Sequence, residues 1–465
     1  MIDPNLARNV LNEALASGGD FAELFCEDTQ GTSITMSRGE VENASYSRVR
    51  GVGIQVLSGP QSSYAYTADT SEDALLATAR AASAGLRDAR AASPVHIPAF
   101  RTVDHAQPDA VYFGDTTNAQ RIALLRSMHA AAAGHSTEIK QVQCRYLDSD
   151  QRVWVINSEG LWASTRRPYT RIVVVAVASD GTSTQTGFRG PGFGRGFDVY
   201  EGFDTAALGR EAAEMAVTML HAPECPAGLF PVVIDGGFGG VIFHEACGHS
   251  LEATSVSKGN SEFAGKMGQQ IAAPCVSAYD DGTWPDAWGS LHGMDDEGHP
   301  AQNNLLIENG ILKGYLVDRV GGRRMEAAPT GSSRRESYTY APTSRMTSTY
   351  IAPGTDDPDE MITTMGNGLY AKTLGGGSVN PITGEFNFAV DEGYWVKNGK
   401  IQTPVRGATL IGKGGQVLMD IDRVGPSRWM AQGICGSVSG GVPVDLGQPR
   451  IRVRKITVGG KGEAL

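Results

Sequence analysis

The run FPVVIDGGFGGVIFHEACGHSLEA (230–253) decides the fold of the second half of the chain and carries its densest group of reactive side chains. Its first part, FPVVID (230–235), is a short apolar run typical of a buried strand. The glycines of GGFGG (236–240) let the chain turn tightly, and VIFHEACGHSLEA (241–253) then has the pattern of a helix. The sequence therefore predicts a buried strand followed directly by a helix that carries two histidines, a glutamate and a cysteine.

The spacing of the two histidines places a demand on that helix. His244 and His249 are five residues apart, which is about 140° around a regular α-helix at about 100° per residue. In the commoner HExxH motif the histidines are four apart and lie on one face. We therefore predict that the helix loosens or ends near His249, through a π-type turn or a break, and that Gly248 permits it.

If the imidazole rings of His244 and His249 reach the same metal ion, the residue types indicate what each side chain of the motif does. His244 and His249 would bind Zn²⁺ through neutral imidazole nitrogens. Glu245 directly follows the first ligand, and it would act as the general base on metal-bound water during hydrolysis of a peptide bond. Glu252, three residues after His249, is either an acidic ligand or a hydrogen-bond partner of a ligand histidine, and we favour the partner.

A catalytic zinc has three protein ligands and one open position. The residues by themselves do not choose the third ligand, and the candidates are Cys435, Cys275, His292 and His299. Two other interpretations of the motif stay open at this point. The histidines are buried core residues beside a surface glutamate, or Cys247 is a nucleophile, although an interior cysteine is more often a small apolar side chain.

Composition narrows the class of protein. The 465 residues are 41% hydrophobic and 20% charged, which is the balance of a soluble globular protein with two or three domains. The formal net charge is −11 and no basic block occurs, which argues against nucleic acid as a main partner. No stretch reaches the ~18 apolar residues of a membrane helix. Six scattered cysteines and an N-terminus that lacks a secretory signal predict a reducing, cytoplasmic location.

The chain divides best at HAPECPAG (221–228), where two prolines and a glycine end a long helix. We predict a mixed α/β N-terminal domain, 1–222, and a largely antiparallel C-terminal domain, 223–465, that carries the HExxxH helix, so that the fold class is α+β. The patterns behind this prediction are an N-terminal amphipathic helix capped by Asp3, helices at 71–86, 117–133 and 204–220, strands at 47–57 and 170–179, and Asn-Gly hairpins at 305–317 and 394–405.

The second half resembles one known family. The runs that carry the resemblance are HEACGHSLEA (244–253), DDGTWPDAWGS (280–290), DDEGHPAQNNLLIENGILKGYLVDR (295–319), PTGSSRRESY (329–338) and GICGSVSGGVPVDLGQP (433–449). They resemble the TldD/PmbA, or modulator-of-gyrase, family of metallopeptidases, and most closely its metal-bearing TldD branch. The resemblance covers about residues 223–460 and, more loosely, the first half.

The resemblance implies a site and a mode of action. The family's two ligand histidines correspond to His244 and His249, its catalytic glutamate to Glu245, and its cysteine ligand in a Gly-Cys-Gly type loop to Cys435. A zinc metallopeptidase of HExxxH type is thus expected, acting on extended, short or unfolded peptides in an enclosed cavity. The family also implies a homodimer, or a heterodimer with a metal-less paralogue. Glu297, Arg334 and Arg335 would hold peptide termini or side chains, or form structural ion pairs.

Two functions of other classes compete with this expectation. One is a non-catalytic binding or assembly subunit of a TldD/PmbA-type heterodimer, which would not need Glu245 beside a ligand histidine. The other is a nucleotide-binding module, suggested by GGFGG between strand and helix. The chain has neither GxxxxGK[ST] nor GxGxxG in that register, so the peptidase is preferred.

Overall fold

The computed structural model describes residues 2–86, 95–105, 112–114, 116–380 and 383–462. In the first half, four helices accompany one sheet. The helices are α1 Pro4–Leu15, α2 Glu72–Ala84, α3 Asn118–Ala133 and α4 Thr205–Leu220. The strands are β1 Phe21–Ser37, β2 Glu40–Ser58, β3 Gln61–Thr67, β4 Arg101–Asp104, β5 Ile139–Asn157, β6 Leu161–Ser179, β7 Thr184–Arg189 and β8 Gly192–Phe193.

The first sheet has the order β3-β2-β1-β5-β6-β4, and β7 and β8 also pair with β6. All of its pairings are antiparallel except that of β4 with β6. Two pairs of helices cover it. Helices α1 and α2 bury apolar side chains with β1 and β2, and α3 and α4 do so with β5 and β6. This half is the mixed helix-and-strand unit that the sequence predicts.

The second half contains most of the strands. They are β9 Gly228–Ile234, β10 Ala278–Asp281, β11 Asn303–Glu308, β12 Ile311–Leu312, β13 Ser333–Arg334, β14 Thr343–Ser344, β15 Ser348–Ile351, β16 Gly368–Val379, β17 Glu385–Lys397, β18 Lys400–Val405, β19 Thr409–Lys413, β20 Ile421–Ser437 and β21 Gly440–Gly459. The helices are α5 Val241–Ala246, α6 Ala253–Val256, α7 Arg319–Met325, α8 Pro358–Thr363 and α9 Gly414–Asp420.

Part of the second sheet closes on itself. Strands β21, β19, β17, β16 and β9 pair in that order, and β9 pairs again with β21, so these strands form a small barrel. Its core cluster includes Ile242 and Phe243 of α5, so the helix of the HExxxH motif is anchored in the largest apolar core of the chain. Most pairings are antiparallel, whereas β15 with β21 and β16 with β9 are parallel. The predicted α+β class is confirmed.

Individual elements follow their sequence signals closely. Asp3 accepts hydrogen bonds from the backbone N–H groups of Asn5 and Leu6 and caps α1, as predicted. The three other helices of the first half lie within two residues of the predicted limits. The predicted strands at 47–57 and 170–179 are parts of longer ones, β2 and β6.

The two Asn-Gly turns differ in the strands that lie beyond them. Asn398 and Gly399 have φ of 52° and 71° and join the paired strands β17 and β18. Asn309 and Gly310 also have positive φ, but β12 beyond them has only two residues. The backbone N–H groups of Lys313 and Gly314 still donate to Leu306 of β11, so the predicted hairpin at 305–317 is confirmed as far as residue 314. Residues 315–317 leave the sheet, and Leu316 instead exchanges backbone hydrogen bonds with Leu251 and Ala253, in the segment that follows α5.

No helix in the described part of the chain is long and apolar enough to cross a bilayer.

The proposed division at 222/223 falls between α4 and β9. Buried ion pairs connect the two sides of that division, among them Arg167 with Asp296 and Arg335 with Glu23. The two halves therefore share a polar, buried junction.

Candidate metal centre

The helix that carries the motif breaks where the sequence predicts. Helix α5 ends at Ala246, and Cys247 has φ −126° and ψ −50°, outside the helical range. A 3₁₀ turn, Gly248–Leu251, comes immediately after it. The prediction that the helix loosens before His249 is confirmed, and the mechanism is a break rather than a π-type turn.

The turn after the break is packed too closely for a side chain at Gly248. A Cβ built there would lie 2.1 Å from Sδ of Met346. Because residue 248 is a glycine, this turn can lie against Met346, which is the second residue after β14. The close approach holds the 3₁₀ turn, and His249 within it, in place.

The break brings both imidazoles to one point together with a distant thiol. The ring centroids of His244 and His249 are 5.1 Å apart. Sγ of Cys435, on β20, lies 3.3 Å from Nε2 of His249. One ligand atom from each of the three residues, called here the ligand triad, lies within 4.8 Å of the others. Of the four third-ligand candidates, the structure places only Cys435 in this group.

Two glutamates flank the ligand triad and differ in exposure. Nδ1 of His249 donates to Oε2 of Glu252 at 3.0 Å, and the Glu252 side chain is only 5% exposed. This contact fixes the ring so that Nε2 points towards Cys435. Oε2 of Glu245 lies 3.7 Å from Nε2 of His249, and 28% of its side chain is exposed. Glu245 is therefore the carboxylate of this site that water reaches.

Electrostatics favour a thiolate in the triad. Burial by itself raises the pKa of the Cys435 thiol, but the charges and hydrogen bonds of His244 and His249 outweigh it and lower that pKa to about 3. Burial likewise lowers the pKa of His249, and the Glu252 carboxylate and the Cys435 sulfur raise it well above its usual value. The site thus stabilises negative sulfur beside positively charged or metal-bound imidazole.

The donor set fits a soft or borderline divalent metal. It offers two imidazoles and a thiolate, which suit zinc. Nδ1 of His244 is buried, and no described residue hydrogen-bonds to it. A buried nitrogen without a protein partner costs free energy unless another group occupies its lone pair. The residues present therefore fit a metal ion.

The other third-ligand candidates lie elsewhere. Cys275 is exposed, and its thiol points to the backbone oxygen of Ile421. His292 is buried with its ring edge-on to Tyr169, and burial lowers its pKa to about 3. His299 lies near Asp295, at the junction of the two halves. Cys247 is fully buried, and burial raises the pKa of its thiol well above the usual value, which does not suit a nucleophile.

The residues considered for binding peptide termini are internal. Arg334 is 4% exposed and donates to the backbone oxygen of Met346 at 2.7 Å. Arg335 is equally buried and pairs with Glu23. Glu297 is 1% exposed and accepts from the backbone N–H of Arg319. Their contacts are structural, and none of the three faces a free surface.

Sequence reasoning did not identify Arg345. This arginine is fully buried, and it donates to the backbone oxygen of Cys435. It lies in a short irregular segment between two strands, where no periodicity separates a buried arginine from an exposed one. Only the fold shows its contact with the ligand loop.

Comparison with known proteins agrees with this geometry. Three consecutive family models match the chain: PmbA/TldA metallopeptidase domain 1 at residues 22–85, the central domain at 112–220 and the C-terminal domain at 227–460. This chain belongs to the PmbA/TldD family of metallopeptidases. The third match contains the whole ligand triad.

Relatives of similar length bear the same description. The Metalloprotease TldD homolog of Haemophilus influenzae is 36% identical over 453 residues, covering 95% of this chain and 93% of its own. A Metalloprotease of Methanothermobacter thermautotrophicus is 32% identical, covering 95% and 96%. Membership of the TldD branch, predicted from the motif runs, is confirmed.

Solved structures share the fold. TldE of Thermococcus kodakarensis superposes with a TM-score of 0.76 at 17% identity, covering 97% of this chain and 99% of its own. A Thermotoga maritima protein described as a candidate modulator of a DNA gyrase gives a TM-score of 0.80 at 21% identity, with 98% and 99% covered. At these identities the likeness concerns the fold alone.

Proposed function

We propose that this protein is a zinc-dependent peptidase that hydrolyses short or unfolded peptides, with His244, His249 and Cys435 as metal ligands and Glu245 as the general base. The observation that carries the proposal is the convergence of two imidazoles and a thiol beside one solvent-reachable carboxylate. A non-catalytic assembly subunit would have no use for that carboxylate.

The ligand set supports zinc in particular. A thiolate and two imidazoles match zinc better than the oxygen ligands that magnesium or calcium prefer. When bound there, zinc would polarise a peptide carbonyl and lower the pKa of water towards 7. Glu252 holds the His249 ring through Nδ1 and leaves Nε2 free for the ion.

Glu245 supplies the proton transfers. Its carboxylate accepts a proton from the attacking water as the water oxygen bonds to the peptide carbonyl carbon. It then returns that proton to the leaving amine nitrogen as the C–N bond breaks. Its position next to His244 in the chain, and its 28% exposure, suit both steps.

The depth of the site supports thin, extended substrates in an enclosed cavity. His244 and Cys435 are 1% and 5% exposed, so a scissile bond must enter well below the surface to reach them. The surface of a folded protein cannot do this, whereas a short or unfolded peptide presents one narrow backbone. The relatives named metalloproteases agree with a peptide substrate.

A dimer completes the proposal, either of two copies or of this chain with a metal-less paralogue. Ile434 and Val438 flank Cys435 on its strand and the following turn, and they are 59% and 76% exposed. Apolar side chains this exposed are a surface that a second subunit would cover. The six free cysteines fit the cytoplasm as the compartment of action.

Elemental analysis beside a peptide-hydrolysis assay tests the proposal. We expect about one zinc per chain in the purified protein. Glu245→Gln should keep the metal and lower kcat by about 10²–10⁴-fold, the usual contribution of a general base. The matched control is Glu211→Gln, a half-exposed glutamate of α4 that pairs with Arg189, and it should leave both quantities unchanged. Normal hydrolysis by Glu245→Gln would refute the proposed mechanism.

A further inference from the structure

Arg345 is among the largest fully buried side chains of the protein, with no exposed surface. It follows β14 directly in the chain. A buried guanidinium is costly unless its donors are satisfied. Among the described residues, no carboxylate lies within ion-pair distance of it, and its hydrogen-bond acceptors are a hydroxyl and two backbone oxygens. The position of these acceptors indicates what the arginine does.

All of these acceptors belong to the end of the hairpin that carries Cys435. Nη2 donates to the backbone oxygen of Cys435 itself. Nη1 donates to Oγ of Ser439 and to the backbone oxygen of Gly440, both at 2.9 Å. One rigid, planar group thus contacts the ligand residue and both sides of the turn that comes after it.

The hairpin has few other connections to the body of the protein at this end. Among the described strands, β20 pairs only with β21. The turn at its tip is held otherwise by the Thr343 hydroxyl and the Glu336 backbone N–H, both bonded to Ser439, and by the Glu336 carboxylate, bonded to the N–H of Gly441. Of these contacts, only the Arg345 bond reaches the backbone of Cys435.

The residue after Arg345 contacts the other half of the ligand triad. Met346 packs its sulfur against Gly248, at the break that turns His249 towards the site. Its backbone oxygen is fixed in turn by Arg334 at 2.7 Å. Two consecutive residues therefore hold the histidine turn and the cysteine hairpin, which are 186 residues apart in sequence.

We infer that Arg345 is a positioning residue that sets the distance between the Cys435 sulfur and the two imidazoles, and thereby the metal affinity of the site. The inference rests on the proposed function, because it requires that the ligand triad binds a metal. Loss of partners that orient metal ligands typically costs 10–100-fold in affinity.

The test uses the full-length protein, stripped of metal and titrated with Co²⁺. A cobalt–thiolate bond gives a charge-transfer band in the near ultraviolet, which reports whether Cys435 is a ligand. For Arg345→Met, which keeps bulk without donors, we expect about 10–100-fold weaker Co²⁺ binding and a diminished thiolate band. Arg345→Lys should recover part of both, since a lysine restores one donor group without the planar fork.

A matched control is Arg171→Met. Arg171 also donates to backbone oxygens, at 3.1 Å to Gly190 and at 3.0 Å to Gln432, and Gln432 lies on β20 three residues before Cys435. This variant loses the same kind of contact with the same strand, so it should keep the wild-type band and affinity. Thermal melts of the metal-free proteins separate loss of stability from loss of positioning.

The outcomes separate the two proposals. A wild-type protein that binds neither Co²⁺ nor Zn²⁺ refutes the proposed function itself. A wild type that binds, with Arg345 variants that show the same affinity and the same band, overturns only the positioning role. If Arg345→Met does not fold, Arg345→Lys decides alone, and its unchanged affinity and thiolate band would overturn the inference.

Discussion

Two clusters of metal-competent residues occur in the described part of the chain, and they differ in the chemistry of their donor atoms. The ligand triad and the group Asp295, Glu297 and His299, here called the acidic triplet, each bring one potential ligand atom per residue within 4.8 Å. Crowding is therefore the same in both. The difference lies in the chemistry of the donor atoms.

In the acidic triplet the backbone occupies both oxygens of Asp295 and one of Glu297, while Oε1 of Glu297 and Nδ1 of His299 are buried without a hydrogen-bond partner among the described residues. Oδ1 of Asp295 accepts from the N–H groups of Glu297 and His299, and its Oδ2 accepts from that of Ser333. Oε2 of Glu297 accepts from the backbone of Arg319. In the triad, the Cys435 sulfur faces an imidazole, and Nδ1 of His244 is likewise buried without a described partner. Unpartnered atoms therefore occur in both clusters, and the chemistry of the donors separates them. A thiol and two imidazoles suit zinc, whereas burial and the neighbouring carboxylates raise the pKa of Glu297 and favour a proton there.

The largest expected contrast comes from one substitution in each cluster. Cys435→Ala should lose most of the bound zinc, because it removes one of three ligands. Asp295→Asn should keep about one zinc per chain and instead lower the free energy of unfolding by about 3 kcal/mol, since it weakens hydrogen bonds to a buried charge. Elemental analysis and urea unfolding measure the two effects. Loss of zinc from Asp295→Asn would remove the distinction.

A methyl group at the helix break should have the next largest effect. Gly248→Ala forces a contact with the Met346 sulfur, and overpacking of this kind costs about 1–3 kcal/mol. Urea unfolding of the metal-free protein would show it, and Met346→Ala in the same chain should recover part of the loss. As a control, Gly376→Ala has open space around the added carbon and should change little. An unaffected Gly248→Ala would mean that the break does not depend on this contact.

The partner of His249 gives a smaller effect on binding. Glu252→Gln keeps an acceptor for Nδ1 but removes the charge, so we expect about tenfold weaker zinc binding, at the low end for such partners. Competition with a chromophoric chelator measures the dissociation constant. The Glu211→Gln control should bind zinc as the wild type does. Equal affinity in both variants would show that Glu252 does not tune the ligand.

The smallest expected effect is on the pH dependence of stability. It shows whether a proton or a metal ion occupies the acidic triplet. Burial, with the nearby Asp318 and Glu23 carboxylates, raises the pKa of Glu297 to about 8. A carboxyl whose pKa is raised in the folded state stabilises the fold below its unfolded pKa, and this contribution is lost as the pH rises through about 8. The wild type should therefore lose stability between about pH 5 and pH 9 through this group.

The isosteric Glu297→Gln variant tests that direction. It stays neutral, so its melting temperature should match the wild type near pH 5 and exceed it at about pH 9. Differential scanning calorimetry at both values measures it. A cation at the triplet would favour ionised Glu297, and the variant would then be the less stable protein at the higher pH.

Some parts of the fold could be predicted from the sequence because they depend on residues that are close together in the chain. Asp3 before an amphipathic run, Asn398-Gly399 between two alternating runs, and Gly248 between two histidines each act within a few residues. The break before His249 could be predicted for the same reason, since five-residue spacing on a regular helix separates the rings. The hairpin predicted at 305–317 ends early, because only residues 311–314 of its second run bond to β11, and Leu316 bonds instead to Leu251 and Ala253 in the segment that follows α5.

The candidate metal site could be predicted only in part from the sequence. His244, Glu245 and His249 could be named from spacing and residue type, while Cys435 was assigned through resemblance to a family and was one of four candidates by chemistry alone. Arg334, Arg335 and Glu297 looked available to a substrate, yet they are buried at the junction of the two halves. Charged residues in irregular segments carry no periodicity that reports their burial.

The sequence by itself determined the class of fold, the helix with its break, and two of the proposed ligands with the proposed base beside them, because each depends on residues that are neighbours along the chain. Only the tertiary structure decided which sulfur lies beside them, which charged residues are buried at the junction of the two halves, and that Arg345 contacts the backbone of Cys435. The contacts of the Cys435 sulfur and of Arg345 join residues that are 186 and 90 positions apart in the chain, and no local pattern encodes the meeting of such distant parts.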